Sequence, residues 1–156
     1  MAVTYTDYQE IINQALHSLL IDEFATIGVR FFPEFEENEL ARKGEYIRWF
    51  ADGDDFESGL SNGETRKYNY TIVYYIDNHH KYVKKFYEQT ISDRAERLNK
   101  LLIQNPTYEV SSAYKWHNMV IESRTKPTRL SDEQEDVRDS IYFVEMSVSL
   151  MRTNTW

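Results

Sequence analysis

The stretch from Lys67 to Leu102 constrains the fold most, because its hydrophobic period changes midway. Tyr68, Tyr70, Ile72, Tyr74 and Ile76 fall on every second residue, the period of a strand with one buried face. After Asp77-Asn78-His79-His80 the spacing becomes three and four. Tyr82, Val83, Phe86, Tyr87, Ile91, Ala95, Leu98, Leu101 and Leu102 then lie on one side of a helix. A helix from about His80 to Ile103 is roughly 36 Å long at ~1.5 Å per residue, enough to cross a sheet diagonally. The stretch therefore predicts a sheet built beside this strand, with the long helix laid on one face.

Upstream, Thr6 reads as the N-cap of a first helix, with Gln9 completing a capping-box spacing. Ile11, Ile12, Ala15, Leu16, Leu19 and Leu20 form its apolar stripe. Each large member contributes about 1.5–3 kcal/mol on burial, before entropy. Val29 to Phe32 reads as a short strand that Pro33 confines to an edge. Acidic Glu34 to Gly44 reads as a loop, and Glu45 to Ala51 as a second strand. Residues 52–64 hold three glycines and five acidic side chains, which predicts a long protruding loop before the strand at 66–77.

Downstream, Asn105-Pro106 stops the long helix. Ala113 to Ser123 alternates, with Tyr114, Trp116 and Val120 on one side. A second long loop is expected at 124–136, basic at Arg124, Lys126 and Arg129 and acidic at Asp132, Glu133, Glu135 and Asp136. Val137 to Arg152 closes the chain as a strand, burying Tyr142, Val144, Met146, Val148 and Leu150. The expected fold class is α+β: one domain over residues 1–156, a mostly antiparallel β-sheet, an N-terminal helix and one long helix on one face.

The chain of 156 residues suffices for one real core. Cysteine is absent, which excludes disulfides and thiolate metal sites. No apolar run reaches the ~18 residues of a membrane span, and Met1 to Tyr5 lacks a basic signal region. A soluble protein made in a reducing cytoplasm is expected, with no membrane partner. The formal net charge of −8 disfavours attraction to nucleic acid, although an acidic surface lining a DNA passage would repel DNA usefully. Aromatic residues make up 15 % of the chain, with twelve tyrosines. They suit either a subunit interface or the rim of a monomer core.

Candidate chemistry is sparse. Gly59-Leu60-Ser61-Asn62-Gly63 spells G-x-S-x-G, but an elbow needs a strand before it and a helix after it, whereas here a loop precedes and a strand follows. Asp52, Asp54, Asp55 and Glu57 lack the spacing of a calcium loop. His79 and His80 diverge on a helix, and His17 and His117 stand alone. The sequence names no catalytic residue, cofactor site or metal site. Two oppositely charged loops could instead set register between subunits. On that reading Phe56 and Leu60 in the first loop, and Arg124, Lys126 and Arg129 in the second, are the interface residues. Two mobile hydrated loops are the equal alternative.

The element order resembles that of the tail terminator (tail completion) proteins of long-tailed bacteriophages. The likeness is carried by Tyr8 to Leu20, Lys67 to Ile76, Tyr82 to Leu102 and Ile141 to Leu150, and it is one of order and spacing across most of the chain. The resemblance implies a structural, non-enzymatic virion protein made in the host cytoplasm. It implies a homo-oligomeric ring, a hexamer, that caps the tail tube protein, docks to the head-side neck or connector protein, and passes DNA without binding it. A neck adaptor or head-completion protein that binds the portal is the alternative, with a small hydrolase or metal-binding protein behind it.

Overall fold

Strands that bury one face must stack side by side, and here they do so around β3 and β7. The computed structural model describes residues 6–25, 30–33, 44–77, 84–109, 115–130 and 141–155. In chain order they form α1 (Tyr8–Phe24), β1 (Arg30–Pro33), β2 (Gly44–Leu60), β3 (Gly63–Asp77), α2 (Lys84–Gln104), β4 (Tyr108–Glu109), β5 (Lys115–Arg124), β6 (Thr128–Leu130) and β7 (Ile141–Thr155). The sheet runs β1-β2-β3-β7-β5-β4, and β6 also pairs with β7. Every pairing is antiparallel except that of β1 with β2, which is parallel. The fold is α+β.

Register explains the core. Ile72 lies between Trp49 and Met146, and Tyr74 between Ile47 and Val144, so these side chains point to one face. They meet Ile12, Leu16, Leu20 and Phe24 of α1 and Ile91, Ala95, Leu98 and Leu102 of α2 in one buried cluster. Phe24 packs on Tyr74 with ring centroids 6.2 Å apart. The two helices are tied together by Arg97 Nε to Glu23 Oε1 at 2.6 Å. The alternation expected for β3 and β7 is present, and so is the helical spacing of α2 from Ile91 to Leu102, while the side chains of Phe86 and Tyr87 lie outside the described set. Tyr82 and Val83 lie outside the described residues, and so do His79, His80 and Tyr114.

Four expectations need correction. The cap of α1 is Asp7 rather than Thr6: its carboxylate accepts from the Glu10 amide at 3.0 Å, and a carboxylate is a strong acceptor at a helix N-terminus. Residues 52–64 are not a loop. β2 and β3 pair from Gly44↔Asp77 to Leu60↔Gly63 and close with the two-residue turn Ser61-Asn62. Two bulges, between Ala51 and Gly53 and between Phe56 and Ser58, absorb the extra residues, and Gly53 at φ 126° permits the first. The acidic side chains that suggested a loop find partners on the facing strand. Thr71 donates to Asp52 (2.6 Å), Arg66 to Asp54 (2.7 Å) and Asn69 to Asp55 (3.1 Å).

The third correction concerns the expected loop at 124–136. Arg124 ends β5 and Arg129 lies in β6; both strands run along the same side of β7, at Met146 and at Tyr142. The break between them is Thr125 to Pro127, where Thr125 exchanges bonds with Glu145 (2.9 and 3.0 Å) and Pro127 has no N–H to give. Residues 131–136 lie outside the described set. Fourth, Val120 does not share a face with Trp116. Asn118 at φ 51° sits inside a bulge between His117 and Val120. The extra residue turns Met119 inward and leaves Val120 half exposed, at 51 %.

Candidate functional site

The geometry that most invites a partner is the far half of the β2–β3 hairpin. β1 covers β2 only from Tyr46 to Trp49. Beyond that, from Phe50 to Leu60, β2 bonds to β3 alone among the described strands, leaving an open edge about 36 Å long at ~3.3 Å per residue. Residues 52–62 are all exposed, including Phe56 at 59 % and Leu60 at 49 %. Bare edges invite strand addition, and the charge on Asp52, Asp54, Asp55 and Glu57 and the two bulges restrict which strand can add. Arg66 donates to Glu64 (2.5 Å) as well as Asp54, and these bonds raise its pKa above the usual arginine value, Glu64 contributing most.

The cations expected to share a surface with this hairpin do not. Phe56 is in register with Arg66 and, through it, with Arg152, whereas Arg124 is in register with Met146. Six residues of β7 separate the two, about 20 Å at ~3.3 Å per residue, with three strand spacings across. Arg124 is engaged within the chain, with Nη1 2.6 Å from Glu96 of α2. Lys126 is exposed beside it, in a cleft of about 190 Å³ lined also by Ser92, Pro127 and Val144. Arg129 is placed by its register opposite Tyr142. The five residues thus divide between two separate parts of the sheet.

Ser61 sits in the tight hairpin turn, with strands on both sides, so the elbow context is missing. His17 stacks on Trp49 with centroids 5.8 Å apart, and His117 Nε2 lies 3.4 Å from the Thr153 hydroxyl. Among the described residues no group of three or more His, Asp or Glu is placed to hold a metal. Much of the tyrosine surplus goes into the core: Tyr68, Tyr70, Tyr74 and Tyr142 are all buried there. Tyr74 lies beside the Arg94–Glu45 pair, and burial pushes its hydroxyl pKa far above the usual range. On the other face of the sheet Tyr46 stacks on Tyr75 (4.8 Å), Tyr75 meets Phe143 (6.1 Å), and the Arg48 guanidinium lies 4.7 Å over Phe50.

Sequence reasoning missed a polar cluster at the end of β7. Arg152 and Asn154 follow Tyr142, Val144, Met146, Val148 and Leu150 at the same alternation, so they occupy positions on the core-facing side. Both are buried, at 6 % and 1 % exposure. Asn154 Oδ1 accepts from Arg152 Nε (3.1 Å), and Asn154 Nδ2 donates to the Tyr68 hydroxyl (2.9 Å). The missed signal was the parity itself, which places an arginine and an asparagine where the pattern asks for leucine. Among the described residues no helix is long and apolar enough to cross a membrane. No family model matches the chain, and no curated protein matches it.

Proposed function

We propose that this chain is the structural subunit of a ring, of the kind that terminates a bacteriophage tail tube and joins it to the head-side neck. The observation that carries the reading is the edge of β2 from Phe50 to Leu60, which among the described strands pairs with β3 alone and carries exposed Phe56 and Leu60. Such an edge supports assembly by strand addition, with the two apolar side chains as anchors and the acidic ones as selectors of a basic complement. Helices confined to one face of a mostly antiparallel sheet, and the long hairpin, agree with the resemblance in element order. The ring is hexameric on this reading, its partners are the tail tube protein and a neck protein, and its acidic charge keeps DNA from adhering in passage.

The test is assembly. Purified protein is imaged by negative stain and weighed by mass photometry, alone and with isolated tail tubes. Closed rings, or caps on tube ends, are expected, and Phe56→Asp with Leu60→Asp should abolish them while leaving the circular dichroism spectrum intact. Monomers alone, even with tubes present, would refute the reading. Rings that bind a portal but leave tubes uncapped would move the assignment to a neck adaptor.

A further inference from the structure

Arg152 is 6 % exposed, yet no carboxylate of the described residues pairs with it. Buried guanidinium groups are ordinarily matched by an anion, because the charge has left water. Here burial lowers the pKa of Arg152 from its ordinary value, and the neighbouring Tyr68 and Tyr8 hydroxyls offset that only in part. The side chain is nonetheless fixed. Its Nε donates to Asn154 Oδ1 (3.1 Å), its Nη1 donates to the Lys115 carbonyl (2.8 Å), and its guanidinium lies 5.5 Å from the Tyr8 ring centroid. Nη2 makes no bond to the described residues, so one donor edge of the fork is left over.

Arg152 borders a cleft of about 440 Å³ between the first turn of α1 and the ends of β5 and β7. Lys115, Thr153 and Thr155 line it with Thr6, Tyr8 and Ile11, and among the described residues no carboxylate does. A second cleft of about 210 Å³ shares Lys115, Arg152 and Thr153, and among the described residues Glu109 is its one acidic lining residue. Lys115 is exposed and forms no ion pair among the described residues. Two cations and several hydroxyl groups therefore border one concave space in a chain whose net charge is −8. We propose that this cleft binds an oxyanion, a carboxylate or a phosphate, with Arg152 and Lys115 as its charged donors. The site is independent of the ring assignment.

The test uses the full chain. Sodium succinate and inorganic phosphate are titrated separately at ionic strength held constant with chloride, and amide shifts and the thermal midpoint are followed. Saturable shifts at Thr6, Tyr8, Thr153 and Thr155 are expected. Lys115→Ala should weaken binding about tenfold and Arg152→Met by about tenfold to a hundredfold, the range of one charge-assisted hydrogen bond. Lys126→Ala, in the separate β5–β6 corner, should leave binding unchanged. If Arg152→Met does not fold, Lys115→Glu at its exposed position carries the same test. Saturation by succinate alone assigns the site to carboxylates, by phosphate alone to phosphates, and by both to either oxyanion. Absence of saturation with both probes, or saturation that survives Lys115→Glu, overturns the proposal.

Discussion

Alanine at Gly63 should destabilise the protein by about 2–4 kcal/mol through a clash that no side-chain rotation relieves. A Cβ built there overlaps the Asn154 carbonyl oxygen and stands 3.0 Å from Thr155 Cα and 3.1 Å from the Asn154 carbonyl carbon. Carbon pairs rest at ~3.5–4.0 Å, and all three obstacles are backbone, so β3 and β7 must part at Gly63↔Thr155 and Glu64↔Asn154. Overpacking of this kind costs about 1–3 kcal/mol. Moving Asn154 also strains its bonds to Arg152 and Tyr68, each contributing ~1 kcal/mol. For a chain of this size the midpoint should fall by about 4–16 °C, at ~2–4 °C per kcal/mol. Urea unfolding followed by tryptophan fluorescence measures the change, with the m-value unaltered. Gly59→Ala is the control, since its Cβ meets only Phe56 Cζ at 3.6 Å, and it should shift stability by less than about 0.5 kcal/mol. A Gly63→Ala loss as small as that of the control would refute the close approach of the two strands.

Leu98→Ala, at a fully buried position between α2 and the sheet, should cost about 2–5 kcal/mol in the same unfolding assay. Asp7→Ala should remove about 1 kcal/mol of stability, whereas Thr6→Ala should change little; equal losses would return the cap to Thr6. Alkaline pH should destabilise the fold. Burial raises the Tyr68 and Tyr74 hydroxyls above the usual value near 10, so the native state keeps protons that the unfolded chain releases. Their contribution is complete below about pH 10 and declines above it by ~1.4 kcal/mol per pH unit for each tyrosine. Urea midpoints measured across that range should show a shallower decline in Tyr74→Phe, and an unchanged slope would contradict the burial of its hydroxyl.

What could be read from the residues was whatever a repeating period encodes. The alternation of Tyr68 to Ile76 and of Tyr142 to Leu150, and the spacing of Ile91, Ala95, Leu98 and Leu102, each repeat over several turns or residue pairs, so the faces they define are local properties of the chain. Asp52 to Gly63 has no such period, and its charge and glycines mimic a loop. It is strand because β3, itself held along its whole length by β7, offers it a ladder and because Arg66, Asn69 and Thr71 receive its acidic side chains. Composition cannot announce a partner that lies on another strand. The bulge at Asn118 is equally silent, since one added residue reverses the inward face and leaves the sequence of side chains looking unbroken.

The sites divide along the same line. Phe56, Leu60, Arg124 and Lys126 could be picked out as conspicuous residues in polar surroundings, but their separation by about 20 Å along β7 follows from strand order and register. The cluster around Arg152 went unseen because its residues come from both termini and the middle of the chain: Tyr8, Tyr68, Lys115, Arg152 and Asn154. The sequence by itself determined which side of each regular element is apolar, because that is written in the spacing of neighbours along one chain. Only the tertiary structure decided how far the hairpin extends, which strand pairs with which among the described residues, and where a buried arginine meets a cleft, because each depends on groups that chain closure alone brings together.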